Sequence, residues 1–164
     1  MPSKRIVNAS PLILLGKIDR LDLLFVGDRE VVVPATVLDE VGGLRLGDLP
    51  GWDQSLPPLR VETDVPVPPH VWRYALDPGE SMVLALALSY TAAGEDVEVV
   101  LDERKGRRSA RALGLTVIGT ARLLILGKQG GQVHEVKPLL DELERKGMYL
   151  GSQLRRQILE AADE

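Results

Sequence analysis

The chain has 164 residues, 45% apolar and 27% charged, with a net charge of −4. That length carries a sizeable core and predicts one domain over residues 1–164, and the acidic balance excludes a uniformly basic nucleic-acid coat. It contains no cysteine, which excludes disulfides, thiolate nucleophiles and cysteine-bound zinc or iron–sulfur centres, and suits a reducing compartment.

Arg5-Ile6-Val7 reads as a strand. Asn8-Ala9-Ser10-Pro11 breaks it, with Ser10 as helix cap and Pro11 as first helical residue, so Leu12 to Lys17 should be helical. Leu21, Leu23, Leu24 and Phe25 continue as a short helical piece ended by Gly27. Glu30 to Val33 is a strand closed by Pro34, and Thr36 to Val41 starts a helix that Gly42-Gly43 ends. Residues 46–70 are rich in Pro and Gly and read as a connector, holding at most a short strand at Leu59-Arg60-Val61. Asp77-Pro78-Gly79-Glu80 opens the strongest helix, with Met82, Val83, Leu86, Ala87 and Tyr90 at helical spacing and Gly94 as its stop.

Val97 to Leu101 is the next strand, and it halts at Asp102-Glu103. A basic helix follows from Lys105 to Leu113, then a strand at Leu115 to Ile118. Thr120 caps a helix to about Lys128, and helices at Val136 to Lys146 and Ser152 to Ala162 complete the chain. The strands are continuously apolar and alternate with helices. That pattern predicts an α/β fold whose parallel sheet is covered on both faces.

In such a sheet, ligands bind at the carboxyl ends of the strands. Asn8 and Asp102 sit at two such ends, and Glu40 and Glu80 are read as lying in the first turns of helices that reach the same edge. Carboxylates held together stay ionised if a cation sits among them. Hard oxygen donors suit Mg²⁺ or Mn²⁺, which can activate water against a phosphodiester. The run Arg104, Lys105, Arg107, Arg108 and Arg111 has no acid within it and could hold neighbouring phosphates. Each residue also has a plainer reading. Asp77 and Glu80 form a capping box, Glu40 is a solvated helix residue, and Asn8 satisfies its own turn. Asp102 and Glu103 face a helix's positive end, and the arginines form a solvated face.

Other chemistries find no support. His70 and His134 are the only histidines and lie far apart in sequence. Aromatic residues make up 4% of the chain, too few for an extended base-stacking platform. Gly127 to Gly131 lacks the Lys-Ser/Thr ending of a phosphate loop, and there is no dinucleotide fingerprint or nucleophile elbow. The apolar stretch behind Lys4 and Arg5 is interrupted by Asn8, Ser10 and Pro11 and has no signal cleavage site. No run approaches the roughly 20 residues that span a bilayer. The expectation is a cytoplasmic protein with no membrane partner.

The motifs taken together resemble a PIN domain. They are Ile6-Val7-Asn8-Ala9-Ser10-Pro11-Leu12-Ile13, Pro34 to Val41 with Glu40, Asp77-Pro78-Gly79-Glu80, Leu101-Asp102-Glu103-Arg104-Lys105-Gly106-Arg107, and Leu113-Gly114 to Gly119-Thr120. The resemblance covers about residues 4–160. It is nearest to a poorly characterised prokaryotic branch close to toxin–antitoxin ribonucleases of the VapC type. It implies a three-layer α/β/α fold with a central parallel sheet and a Mg²⁺- or Mn²⁺-dependent ribonuclease. The implied metal ligands are Asn8, Glu40, Glu80 and Asp102, with Glu40, Glu80 and Asp102 catalytic. Ser10 and Glu103 would stand behind them, and Arg104, Lys105, Arg107 and Arg108 would grip single-stranded RNA. A small antitoxin partner and a homodimer are further implications. The first ligand position is normally Asp in the family and is Asn8 here. The rival reading is therefore a PIN-like module that binds nucleic acid or protein without catalysis.

Overall fold

A computed structural model describes residues 3–42 and 45–164. Five strands form one parallel sheet: β1 (Lys4–Val7), β2 (Glu30–Pro34), β3 (Arg60–Glu62), β4 (Val97–Val100) and β5 (Thr116–Ile118), in the order β3-β2-β1-β4-β5. The helices are α1 (Ala9–Lys17), α2 (Ala35–Glu40), α3 (Pro69–Trp72), α4 (Pro78–Ala92), α5 (Arg104–Ala112), α6 (Thr120–Gln129), α7 (Val136–Arg145) and α8 (Ser152–Ala161). Short 3-10 turns lie at Leu21–Phe25 and Leu46–Asp48. The result is the three-layer α/β/α arrangement expected of strands buried on both faces.

The winding order decides where a ligand can bind. From β1 the chain steps outward to β2 and β3, then returns to the other side of β1 for β4 and β5. Neighbouring β1 and β4 thus feed helices in opposite directions, which opens a crevice at their carboxyl ends. Val7 is in register with Val100, and the Asn8 N–H donates to the Val100 carbonyl at 3.2 Å. Asn8 and the Leu101-Asp102 segment therefore emerge side by side.

At the opposite edge the sheet is held by charge. Arg5 is fully buried, opposite Glu98 in the β1–β4 register. Its Nε donates to Glu98 at 2.6 Å, and Nη1 reaches the Leu24 and Val26 carbonyls at 2.6 and 2.8 Å. The guanidinium thereby ties the turn at Leu21–Phe25 to the sheet.

Several local expectations change. Helix α1 begins at Ala9, with Asn8 rather than Ser10 at its cap position and no side-chain cap bond. Glu40 is the last residue of the six-residue α2, not part of a first turn. Residues 46–70 contribute the edge strand β3 and the start of α3, which a Pro-rich composition conceals because Pro is compatible with strand edges and first helical turns. Gly42 takes the left-handed conformation, with φ of 74°, just past α2. Gly43, expected to share in ending that helix, lies outside the described residues.

Helix α4 is buried without interruption from Gly79 to Ala87, so it reads as apolar all round. It packs on β1, β2 and β4 and against α2 and α3. That position carries Glu80, near its N-terminus, inside the protein.

Candidate metal centre

Asp102 is held by two hydroxyl residues from distant elements. The Thr120 N–H donates to Oδ1 at 2.8 Å, and the Thr120 hydroxyl donates to Oδ2 at 2.7 Å. The Ser10 hydroxyl donates to the same Oδ2 at 3.2 Å. Both residues look like helix caps in the sequence; in three dimensions they fix this carboxylate. Arg107 lies alongside, its Nη1 donating to the Leu101 carbonyl at 2.9 Å. Burial lowers the pKa of that guanidinium and Arg111 pushes the same way, while Asp102 opposes them. A Cβ on Gly119 would meet Arg107 at 2.9 Å and Asp102 at 3.2 Å, so a side chain there would crowd both groups.

The second group forms around Glu80. Asp77 caps α4, its Oδ1 accepting the Glu80 N–H at 2.8 Å. The reciprocal half of a capping box is missing. Glu80 is 3% exposed, and its Oε1 is buried with no hydrogen-bond partner. Burial, then the neighbouring charges of Asp77 and Glu103, push its carboxyl up to about 7. Asp77, Glu80 and Glu103 each offer an oxygen, and these lie within 4.8 Å of one another. This is the only such group among the described residues. Gly106 allows α5 to approach, since a Cβ there would stand 3.2 Å from Glu80 Oε1.

Glu40 flanks this group. Its Oε1 accepts the Gly79 N–H at 2.8 Å, and a Cβ on Gly79 would overlap the Glu40 carboxylate. Burial of the carboxyl raises its pKa, aided by Asp77 and opposed by the Gly79 bond. On the other side, Asn8 is 6% exposed, and its buried Oδ1 also has no partner.

The expected residues thus fall into two linked subclusters. Asp102 and Ser10 are joined by a hydrogen bond at the β1–β4 crevice. Glu80 and Glu103 belong to one carboxylate cluster, and Glu40 binds the N–H of Gly79, the residue before Glu80. Adjacent Asp102 and Glu103 connect the halves in the chain. Asp102 itself is not in the close carboxylate trio. Sequence pattern reads Asp77 and Thr120 as caps alone. Asp77 does cap α4, but α6 has Gly119 at its cap position with Thr120 as its first residue, whose N–H and hydroxyl serve Asp102 instead; neither residue's part at the centre is visible to spacing. His70 and His134 take no part in the trio.

The donor set suits a hard divalent cation. All donors are oxygens, two of them are buried and unpartnered, and three carboxylates repel one another until a cation joins them. Among the expected basic residues, Lys105 donates to the Ala75 carbonyl at 3.0 Å. Arg107 is committed to Leu101. Arg104 and Arg108 are exposed.

Residues 4–164 match a family model described as a PIN domain. No curated protein matches the sequence.

Proposed function

Because the chain belongs to the PIN domain family, a nuclease-type fold, we propose that it is a divalent-metal-dependent endoribonuclease. The observation that carries this reading is Glu80: a buried carboxyl with an unpartnered oxygen, pressed between two further acids at the carboxyl edge of the sheet. A carboxylate placed there is costly unless a cation offsets it.

Glu40, Glu80 and Asp102 would hold Mg²⁺ or Mn²⁺, with Asn8 offering a neutral amide oxygen. When bound, the ion supplies a Lewis acid that activates water and offsets charge on the phosphodiester. Ser10 and Thr120 keep Asp102 in one orientation, so its carboxylate does not reorganise as the substrate arrives. Glu103 and Asp77 add negative charge beside Glu80. Arg104 and Arg108 supply cations to the RNA backbone. A toxin role with a small antitoxin, and a homodimeric state, belong to the same proposal and rest on family resemblance.

The test is cleavage of single-stranded RNA in Mn²⁺ by wild type and by Asp102→Asn. The variant is expected to lose at least about a hundredfold in rate, a typical effect of removing an electrostatic group from an active site. Equal rates would remove Asp102 from the machinery. Asn8, where an acid is expected, favours a second reading: a PIN-like module that binds nucleic acid without cleaving it. Calorimetric Mn²⁺ titration separates the two, since the binding module needs no divalent ion.

A further inference from the structure

A cavity of about 460 Å³ opens beside the acidic centre, lined by Tyr74, Arg104, Lys105, Arg108, Ser109 and Ala112. One wall is the segment after α3; the other is α5. No acid lines it, although the chain as a whole is acidic. Both walls run directly into the carboxylate trio. Tyr74 lies just before Asp77 in the chain, and Arg104 directly follows Glu103.

The wall carrying Tyr74 is built rather than loose. Val71 is buried beneath it, and Tyr74 N–H and Ala75 N–H close turns onto the Val71 and Trp72 carbonyls at 3.1 and 3.0 Å. Ala75 sits in the left-handed region, with φ of 52°. L-residues other than glycine rarely adopt that conformation. The Lys105 ammonium holds the Ala75 carbonyl from α5, bridging the two walls. The half-buried Tyr74 thus lines the same cavity as two exposed arginines.

Building on the nuclease reading above, we propose that this groove holds single-stranded nucleic acid next to the cleavage site, with a base stacked on Tyr74 and phosphates on Arg104 and Arg108. A ring alone would favour any apolar ligand, and arginines alone any anion. An aromatic residue and two cations lining one cavity match a nucleotide, whose base has a π-face and whose linkage carries charge. The cavity falls in the size range of small-ligand sites, about 300–1,000 Å³, which suits a nucleotide unit. A duplex keeps its bases stacked inside and offers Tyr74 no face. The scarcity of aromatic residues argues against an extended platform, yet one ring suffices for one base.

The test measures binding by fluorescence anisotropy in EDTA, where no metal-dependent cleavage occurs. The probes are an oligouridine strand, the matching DNA strand and an RNA duplex. Tyr74→Phe should bind single strands like wild type. Tyr74→Ala should lose about tenfold to a hundredfold in affinity, the usual value of one stacked base, with an unchanged salt slope. Arg104→Ala with Arg108→Ala should reduce the slope of log K against log salt by about 1.4, for two phosphates on a single strand. A 5-iodouridine strand irradiated with wild-type protein should crosslink to Tyr74, a readout that needs no variant. Either sugar binding through Tyr74 supports the proposal.

Wild-type affinity in Tyr74→Ala, a crosslink that maps elsewhere, or a duplex bound as tightly as the single strand would overturn it. Displacement of the strand by polyglutamate at equal charge would do the same, because the groove would then be selecting charge alone. The nuclease reading fails separately. Intact Tyr74-dependent binding in EDTA with no cleavage in Mn²⁺ leaves the groove and removes the enzyme.

Discussion

Replacing Glu80 by Gln removes a charge from a place that disfavours it. The pKa is raised from 4.5 to about 7, chiefly by burial. The folded state therefore keeps its proton to higher pH than the unfolded chain. Glu80's contribution to the stability of metal-free wild type should fall as pH rises from about 4.5 to about 7, then level off. At 1.36 kcal/mol per pH unit, ionised Glu80 costs about 3 kcal/mol at pH 8. Glu80→Gln keeps the volume and carries no charge. In urea denaturation with EDTA it should nearly match wild type near pH 4, where the carboxyl is largely protonated in both the folded and the unfolded state, and exceed it by about 3 kcal/mol at pH 8. In saturating Mn²⁺ the order should invert, because wild type gains the binding free energy and the variant gains little. A difference that is the same at pH 4 and pH 8, or a variant that Mn²⁺ stabilises as strongly as wild type, would refute the reasoning.

Asn8→Asp adds a charge to the oxygen that lacks a partner and should tighten Mn²⁺ binding by about tenfold, read by calorimetry; unchanged affinity would put Asn8 outside the ligand set. Gly79→Ala should melt within about 1 kcal/mol of wild type, since alanine's helix preference offsets the disturbed Glu40 contact. Its Mn²⁺ affinity should nevertheless fall, because the new Cβ occupies the place of the Glu40 carboxylate. Equal affinity would free Glu40 from the centre. Glu98→Ala leaves Arg5 buried with no carboxylate and should lower stability by about 3–5 kcal/mol in urea denaturation; a loss under about 1 kcal/mol would mean that the Leu24 and Val26 carbonyls suffice.

Much of the architecture is legible in local pattern. Val31 to Val33 and Val99 to Leu101 are apolar without alternation, and all are buried. Such runs, divided by helices, leave a parallel sheet covered on both faces as the natural solution. Asp102 is legible too, because a polar residue directly after a buried strand must lie at a sheet edge. The supports of Asp102 are not. Ser10 lies 92 residues away in the chain, and Thr120 lies 18 away. Each also sits near a helix start, so the local explanation satisfies the sequence before the distant one is considered. The groove at Tyr74 is hidden for the same reason. A short Pro-rich segment gives no periodic signal, and only its docking against α5 gives the ring two arginines.

The sequence by itself determined the kinds of group available: aliphatic strands, hard oxygen donors in place of sulfur, and a basic run behind Asp102-Glu103. These are properties of residue type and nearest-neighbour spacing, which folding does not alter. The tertiary structure decided which groups meet and how strongly they are perturbed. The reversal of winding between β1 and β4 sets Asn8 beside the Asp102 segment, and the all-round burial of α4 carries Glu80 out of water. Desolvation and mutual repulsion depend on those distances. A helix-capping pattern and an acidic centre around the buried Glu80 are therefore the same residues in sequence and become different objects only in the fold.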